Sequence, residues 1–383
     1  MRSAGGVRVH TPTWHDVFDY VVLCVGRATA FDPYGLQGHE KFSSNPYPLE
    51  NKLRNVDPDE HVGIIGCGLT AIDLVCALKA DQHRGRITLM SRRGLLPGVR
   101  RPAPKYDLRH FTVKSIEDLV AARGGISLKD LIQLTCRELD DAGASKGALL
   151  DEIFPSRWGL EQLRHQMACI DDGEIAQPLF IKLLAAAYQD AWYFLDPFEK
   201  AVAAGYGHIF YSVCCPMPRH RAAAILELAD SGQLQIMRGL QSVAKDPRGR
   251  FVAITSSAPP LYFDRAFSAV SEVNAIHPMA APILDGLVRS RQALAHPFGG
   301  IHVERTSSRV LDADNRPQPR LYAIGTTTSG AFYLVNGHFL STRRSAQVAS
   351  SIFTHHQENH APSIFRCAGT AVPGRREWTF DLV

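Results

Sequence analysis

A glycine-rich turn between an apolar run and a helix-forming segment restricts the fold more than any other feature. The turn has the form Gly66-x-Gly68-x-x-Ala71 and directly follows the apolar run Val62-Gly-Ile-Ile. Residues 70–80 carry apolar side chains at helical spacing, and residues 86–90 return to strand character. Strand, turn, helix and strand within about thirty residues form one βαβ element. The sequence therefore predicts an α/β fold with a parallel, Rossmann-like sheet.

The small residues of this turn have separate physical roles in the G-x-G-x-x-G/A pattern. Gly66 permits the tight turn, Gly68 lets a pyrophosphate approach the backbone, and Ala71 allows close packing of helix on strand. The helix N-terminus offers free N–H groups and a positive dipole end to phosphates. We predict a dinucleotide site here, the alternative being a glycine-rich turn that binds nothing. Its residues are Gly66, Cys67, Gly68, Leu69, Thr70 and Ala71.

The end of the second strand indicates which dinucleotide is bound. NAD sites usually place an acidic residue there for the ribose 2′-hydroxyl group, whereas this chain has Ser91-Arg92-Arg93. Guanidinium groups bind phosphate by two parallel hydrogen bonds, so the pattern favours NADPH over NADH. The alternative is that one arginine is merely solvated. Arg100, Arg101 and Lys105 lie downstream and either contact the cofactor phosphates or solvate a rigid loop; the sequence leaves both open.

Composition and motifs narrow the functional class. With 383 residues and a net charge of +4, the chain has room for two or three domains but no dense basic tract for nucleic acid. No apolar run reaches the ~18–20 residues that span a bilayer, and no hydrophobic signal segment opens the chain, so a cytoplasmic location is expected. No H-E-x-x-H or C-x-x-C pair suggests a metal. Cys24, Cys67 and Cys76 are predicted to be small buried hydrophobes, and Cys214-Cys215 is a vicinal pair.

The remaining pattern predicts strands and helices around the central element. Strands are predicted at residues 7–12, 19–25, 251–255, 262–267 and 321–325, and the run at 19–25 is predicted to be buried on both faces. Residues 32–51 are predicted to be a loop. Residues 114–245 are predicted to be mostly helical, with capping boxes beginning at Ser115 and Ser127. A helix is predicted over residues 337–353, followed by an irregular segment.

Several of these segments together resemble the two-dinucleotide flavoproteins that bind FAD and NAD(P), distantly like the flavin-dependent N-hydroxylating monooxygenases. The resemblance runs over most of the chain and is most specific around Gly66. The segments that carry it are Asp19-Tyr-Val-Val-Leu-Cys-Val-Gly26, Gly63-Ile-Ile-Gly-Cys-Gly-Leu-Thr-Ala-Ile-Asp73, Thr88-Leu-Met-Ser-Arg-Arg-Gly-Leu-Leu-Pro97 and Leu321-Tyr-Ala-Ile-Gly325.

This resemblance implies a Rossmann-like NAD(P)-binding domain inserted in a truncated FAD-binding domain, with a mainly helical insertion. The implied division is a remnant of the FAD-type domain and linker at 1–56, an NADP-binding unit at 57–112, the helical insertion at 113–245, a return to the FAD-type domain at 246–353, and an irregular tail at 354–383. FAD and NADPH are the implied cofactors, with Gly26, Gly325 and Thr326 on the FAD side.

The resemblance departs from the family pattern at the start of the chain. Such proteins open with a strand and a G-x-G-x-x-G turn that anchors FAD, and nothing of that kind precedes Val7. Binding of FAD by this chain alone is therefore in doubt, and a partner chain could supply the missing segment. The sheet would also expose apolar edges, which predicts poor solubility.

Three functions are compatible with these features. The first is an NADPH-dependent, FAD-linked oxidoreductase of monooxygenase or reductase type that acts on a small molecule. The second is a non-catalytic or partner-dependent dinucleotide-binding remnant, and the third is a dehydrogenase without flavin. Because the flavin carries the difficult chemistry, no catalytic residue is assigned. His39 is interpreted as a surface loop residue rather than a catalytic one, and His338 either starts a helix or has a functional role. Ser329 lacks the G-x-S-x-G elbow and is not a hydrolase nucleophile. Four aromatic residues line either a substrate pocket or a helical core: Tyr106, Trp158, Trp192 and Tyr193.

Overall fold

The computed structural model describes residues 6–10, 13–26, 32–256, 258–270, 282–335 and 337–360. The strands in chain order are β1 (Val7–His10), β2 (His15–Phe18), β3 (Val21–Leu23), β4 (Phe42–Ser43), β5 (Val62–Ile65), β6 (Ile87–Met90), β7 (Leu234–Met237), β8 (Leu240–Lys245), β9 (Phe251–Thr255), β10 (Leu261–Phe263), β11 (Arg265–Ser268), β12 (Arg309–Leu311) and β13 (Pro317–Ala323). The chain is mixed α/β, as predicted.

The helices follow the same order along the chain. They are α1 (Leu49–Leu53), α2 (Leu69–Ala80), α3 (Val113–Arg123), α4 (Leu128–Asp141), α5 (Lys146–Ile153), α6 (Gly159–Ala168), α7 (Ala176–Leu183), α8 (Gln189–Phe194), α9 (Pro197–Gly205), α10 (Gly207–Cys214), α11 (Arg219–Asp230), α12 (Pro282–Arg289), α13 (Ser329–Phe332) and α14 (His338–His360). A π-helical turn, Leu184–Tyr188, joins α7 to α8, and a 3₁₀ turn, Gly325–Thr328, precedes α13.

A five-stranded parallel sheet forms the framework of the molecule, with strand order β4-β11-β5-β6-β7. All residues of β5 and β6 are buried, which explains their uninterrupted apolar sequences. The chain passes from β5 to β6 and β7 on one side, whereas β11 lies on the other side of β5. The carboxyl end of β5 is therefore the point where strand order reverses, the usual ligand position in such sheets.

A three-stranded antiparallel sheet, in the order β10-β9-β8, packs beside the parallel sheet. Gly63 makes this contact possible, because a Cβ atom there would lie 2.4 Å from the Phe263 ring. Of the strands expected on the FAD side, β11 pairs with β5 and so joins the sheet that contains the Gly66 turn, whereas β9 and β10 belong to the antiparallel sheet. The apolar pattern of a strand shows that it is buried but does not identify the sheet that it joins.

The other strands predicted for the FAD-type region form a separate small sheet, in which β13 lies between β12 and β3. The predicted strand at 19–25 is shorter than expected, and the prediction that it is buried on both faces is wrong. Leu23 is buried, but Val25 is 43% exposed and Cys24 is exposed. Within the described residues, β3 pairs only on its β13 side, which leaves its other edge open.

Residues 113–230 form the helical region, which packs around its own apolar core. It ends at Asp230, earlier than the predicted residue 245, because β7 and β8 follow. Ser127 and Asp130 form the predicted capping box of α4. The predicted box at Ser115 is wrong, because Thr112 is the N-cap and its side chain accepts the Ser115 N–H.

The C-terminal helix α14 continues to His360, so residues 354–360 are helical rather than irregular. Residues 361–383 and Asn336 lie outside the described residues. Residues 32–51, predicted to be a loop, contain the short strand β4 and the first turn of α1. Within the described residues, no helix is long and apolar enough to span a membrane.

Glu138 of α4 links this helix to the loop before α3. It is fully buried, and its carboxylate accepts the backbone N–H groups of Arg109, His110 and Phe111, each at 2.7 Å. Burial raises the pKa of Glu138, but the three N–H donors outweigh it and the net pKa is lowered. The stability from this group is therefore present above the unfolded-state pKa and lost as pH falls through the folded-state pKa.

Replacing Glu138 with glutamine should lower the free energy of unfolding at neutral pH by about 1.5–3 kcal/mol, because charge-assisted hydrogen bonds are lost. The pH dependence of stability in the acid range should also flatten. Urea titrations at several pH values measure both effects. The exposed Glu40→Gln variant is the control and should change stability by less than about 0.5 kcal/mol. An unchanged acid slope in Glu138→Gln would contradict this prediction.

Candidate functional site

The glycine turn lies at the carboxyl end of β5. Gly66 has a φ angle of +119°, and its N–H donates to the Met90 carbonyl oxygen at 2.7 Å. A Cβ atom at this position would lie 2.7 Å from the carbonyl oxygen of Ala269, just after β11. Backbone angle and close approach therefore both require glycine, as the motif predicts.

Gly68 is different, because the protein itself does not require a glycine there. Its φ angle of −79° suits any residue, and a Cβ atom would have nothing within 4 Å. It is the N-cap of α2, which has no side-chain cap and no acidic residue in its first turn. The next residue, Leu69, is 40% exposed. The positive end of a twelve-residue helix therefore faces open space.

The side chains beneath the turn form a buried support. Cys67 and Ala71 are buried, and Thr70 is half-buried. Burial raises the pKa of the Cys67 thiol to about 11, although a hydrogen bond with Ser91 opposes the shift. Cys67 therefore remains a protonated thiol at neutral pH and is a packing residue, not a nucleophile.

The loop after β6 lies next to this turn. Ser91 Oγ accepts the Gly94 N–H at 2.8 Å, which fixes the loop, and Arg92 and Arg93 are both exposed. Within the described residues, neither arginine side chain has an ion-pair partner. The pKa of His208 on α10 is lowered mainly by burial and, to a smaller extent, by the positive charges of Arg93 and Arg92. These residues form an electropositive edge beside the open end of α2.

The three downstream basic residues have different surroundings. Arg101 is mostly buried and pairs with Asp172 at 2.6 Å, so its charge is already neutralised. Arg100 contacts the Pro216 carbonyl oxygen at 3.5 Å, and Lys105 is exposed. This favours a structural role for Arg101 over contact with a cofactor phosphate.

The glycines predicted for the FAD side lie at the carboxyl ends of two parallel neighbours. The Ile324 N–H after β13 donates to the Leu23 carbonyl oxygen at 3.0 Å. Gly26 and Gly325 have φ angles of +62° and +74°, and a Cβ atom on either would meet nothing within 4 Å. The buried hydroxyl of Thr326 has no hydrogen-bond partner in the described part of the chain.

The structure adds Arg238 to the electropositive edge and places Trp158 against it. Arg238 directly follows β7, and its guanidinium lies 4.6 Å from the ring centre of Trp158. The sequence predicts for Trp158 either a pocket or a helical core, and it does not predict Arg238 at this edge. The available signal was that the carboxyl ends of parallel strands share one edge, so the residue after β7 should lie near Arg92. The position of Arg238 depends on the pairing of β7 with β6, which the sequence does not specify.

The other candidates are structural or lie outside the described atoms. His39 is half-buried and packs edge-on against Phe251. Trp192 is fully buried and donates to the Gly330 carbonyl oxygen, which places it in the core. Ser329 is buried in α13, and the His338 side chain lies outside the described atoms. In the described ranges, no group of three or more His, Cys, Asp or Glu side chains could hold a metal.

Comparison with known proteins gives matches in structure only. No family model matches the chain, and no curated protein matches it. Reduced ornithine hydroxylase from Pseudomonas aeruginosa is similar at 13% identity and a TM-score of 0.51, covering 93% of this chain and 69% of that one. Ornithine N-hydroxylase from Kutzneria sp. 744 is 12% identical and has a TM-score of 0.46. That match covers 92% of this chain and 68% of the hydroxylase chain.

A flavoprotein disulfide reductase from Escherichia coli is 11% identical, with a TM-score of 0.41. The match covers 91% of this chain but 47% of that one, so the chain spans about half the length of this reductase. The likeness to the Pseudomonas hydroxylase shows that the chain shares its fold, which is the fold that the sequence segments predicted.

Proposed function

We propose that this chain is an NADPH-dependent, FAD-linked oxidoreductase of monooxygenase or reductase type that acts on a small molecule. One observation carries the proposal. The uncapped N-terminus of α2 opens beyond Gly68 at the reversal point of a parallel sheet. Arg92 and Arg93, which have no ion-pair partner among the described residues, follow the neighbouring parallel strand β6 at the same edge. This arrangement suits a pyrophosphate and a 2′-phosphate held side by side.

In this proposal, backbone N–H groups bind the pyrophosphate of NADPH, and side chains bind its 2′-phosphate. The N–H groups after Gly68 bind the pyrophosphate, and the open space at Gly68 lets it approach. Arg92 and Arg93 bind the 2′-phosphate, while Ser91 holds the loop through Gly94. Cys67 and Ala71 support the turn from below.

The FAD site in this proposal lies at the carboxyl ends of β3 and β13. Gly26 and Gly325 leave the backbone open to a ligand, and the buried hydroxyl of Thr326 needs a partner that the described residues do not supply. The sheet with β3 and β13 is then the FAD-type domain, and the Gly66 sheet is the NADP-binding domain inserted into it.

When bound, the two cofactors supply hydride transfer from nicotinamide to flavin and onward electron transfer to an acceptor. The residues of the chain bind and orient these groups. The glycine turn positions the pyrophosphate, and the arginine pair selects the phosphorylated ribose. The buried Cys67 thiol takes no part, because its pKa of about 11 keeps it protonated.

The selection of NADPH can be tested with Arg92→Gln and Arg93→Gln. Each variant should weaken NADPH binding roughly tenfold to a hundredfold, because a charge-assisted hydrogen bond is lost, and should leave NADH binding nearly unchanged. Titration calorimetry with both nucleotides gives the affinities. Arg248→Gln, in the exposed β8–β9 turn, is the matched control. Equal losses for NADH and NADPH would refute a 2′-phosphate contact.

The oxidoreductase itself is tested by adding FAD and NADPH to the purified chain. A flavin absorption band that NADPH bleaches supports the proposal. Colourless protein that binds NADPH supports the alternative, a non-catalytic or partner-dependent remnant. Substrate-dependent NADPH oxidation without flavin supports a dehydrogenase.

A further inference from the structure

His296 and His302 lie side by side on a short hairpin over residues 294–302. Ala295 pairs with Ile301 across this hairpin, and each histidine directly follows one member of that pair. Because successive residues of a strand alternate between faces, the two histidines share the face opposite to Ile301. Ile301 packs in the core of the small sheet, so the histidine face is turned away from that core. The two ring centres are 4.2 Å apart.

The ring of His296 is held from two sides. Its Nδ1 atom accepts the Phe298 N–H at 3.1 Å, and a Cβ atom at Gly330 of α13 would overlap the same Nδ1 atom. Since Nδ1 is already an acceptor, the proton of the neutral ring lies on Nε2, which is an N–H donor. Burial, with smaller contributions from His302 and Lys200, lowers the pKa of His296 to about 3. His296 is therefore a fixed, neutral donor at pH 7.

Lys200 of α9 brings a positive charge to this pair of rings. Only 9% of its surface is exposed, and its ammonium group donates to the Tyr193 carbonyl oxygen at 3.2 Å. Burial lowers the pKa of His302, and the charge of Lys200 lowers it further, as it does for His296. The lysine is therefore within electrostatic reach of both rings. Among the described residues, no carboxylate forms an ion pair with Lys200 or with either histidine.

The acidic side chains nearest to this cluster are committed to other partners. Asp196, whose charge opposes the effect of burial on the lysine pKa, caps α9 by accepting a backbone N–H of its first turn at 2.8 Å. Glu304, just after the hairpin, accepts the Ser307 hydroxyl group, and its neighbour Arg305 pairs with Asp190 at 2.7 Å. A buried ammonium group without a carboxylate partner is unfavourable, so this arrangement favours binding of an anion.

We propose that Lys200, His296 and His302 form a binding site for a small oxyanion, a phosphate or a carboxylate group. The Lys200 ammonium supplies the permanent charge, and the Nε2 N–H of His296 donates a hydrogen bond. His302 takes up a proton from solvent when the anion binds, because a neighbouring negative charge stabilises the imidazolium. The site lies between the hairpin and α9, so it does not depend on binding of NADPH at the Gly66 turn.

The first test follows the histidine ring signals of the whole chain by NMR, with inorganic phosphate, acetate or chloride added at equal ionic strength. Phosphate, acetate or both should move the signals of His296 and His302, which His296→Gln and His302→Gln assign. The bound anion should also raise the pH at which His302 titrates. A response to acetate identifies a site for carboxylates, and a response to phosphate alone identifies a phosphate site. No response to either oxyanion, or an equal response to chloride, would overturn the proposal.

The second test measures oxyanion affinity from the His296 signal in variants. Lys200→Met should weaken binding roughly tenfold to a hundredfold, because a charge-assisted hydrogen bond is lost, whereas the exposed control Lys129→Met should not. Arg92→Gln should leave this response unchanged, which separates the site from the proposed NADPH site. Circular dichroism checks folding, and His302→Gln, which should weaken binding about threefold to tenfold, repeats the test if Lys200→Met does not fold. Unchanged affinity in the folded variant would overturn the assignment.

Discussion

Replacing Asp190 with asparagine should lower the free energy of unfolding by about 3–5 kcal/mol, because it breaks a buried ionic cluster. Asp190 lies on α8 with only 1% of its surface exposed. Its carboxylate pairs with Arg305 at 2.7 Å and with Arg343 at 2.5 Å, and Arg344 lies 3.8 Å away. Asparagine fills the same space without the charge, so three guanidiniums lose their shared partner.

The cluster connects two parts of the molecule, so its loss should weaken the contact between them. Asp190 belongs to the helical region, whereas Arg343 and Arg344 belong to α14, which packs against β13. Burial lowers the pKa of Arg344 to about 10, although Asp190 opposes the shift, and this guanidinium remains charged at neutral pH. The cluster therefore holds the helical region to the small sheet that carries Gly325.

Guanidinium chloride unfolding measures the effect of Asp190→Asn. The matched control is Asp118→Asn, which breaks the exposed pair with Lys114 and should cost less than about 1 kcal/mol. A similar small change in both variants would show that the Asp190 cluster adds no more than a surface ion pair.

The βαβ element could be predicted from sequence because its determinants are local. A strand, a turn and a helix each have a characteristic spacing of apolar residues and characteristic end residues within a short segment. The helix predicted at residues 70–80 begins one residue earlier, at Leu69, and ends at Ala80 as predicted. The order of the strands could not be predicted in this way. Pairing of β11 with β5 joins residues about 200 positions apart along the chain, and a four-residue apolar run does not specify its neighbour.

The same distinction applies to the candidate site. Gly66, Gly68, Arg92 and Arg93 lie within one βαβ element, so their proximity follows from local structure. Trp158, by contrast, belongs to the helical region and contacts Arg238, the residue after β7. Its place at the electropositive edge therefore depends on the pairing of β7 with β6, which is not local in sequence. For Cys24 a local pattern gave a wrong prediction. Its apolar sequence neighbours predict a buried side chain, but Cys24 lies just after the end of β3 and is exposed.

The two glycines of the turn should respond to substitution in opposite ways. Gly66→Ala should lower the free energy of unfolding by about 2–5 kcal/mol, since overpacking and an unfavourable φ angle each cost about 1–3 kcal/mol. The clash is with the Ala269 backbone, which cannot move without displacing β11. Gly68→Ser should leave stability unchanged or raise it by a few tenths of a kcal/mol, because serine is a favourable N-cap for α2.

NADPH affinity separates these effects from ligand binding. Although Gly68→Ser stabilises the helix, its hydroxyl occupies the space open to the pyrophosphate and competes for the N–H groups of the first turn. Binding should weaken roughly tenfold to a hundredfold, the worth of charge-assisted hydrogen bonds. Calorimetry with NADPH, beside a thermal unfolding curve, gives both quantities on one sample. A Gly68→Ser protein that is stable and binds NADPH as tightly as the unmodified chain would place the phosphates elsewhere, because no other property of this glycine requires the absence of a side chain.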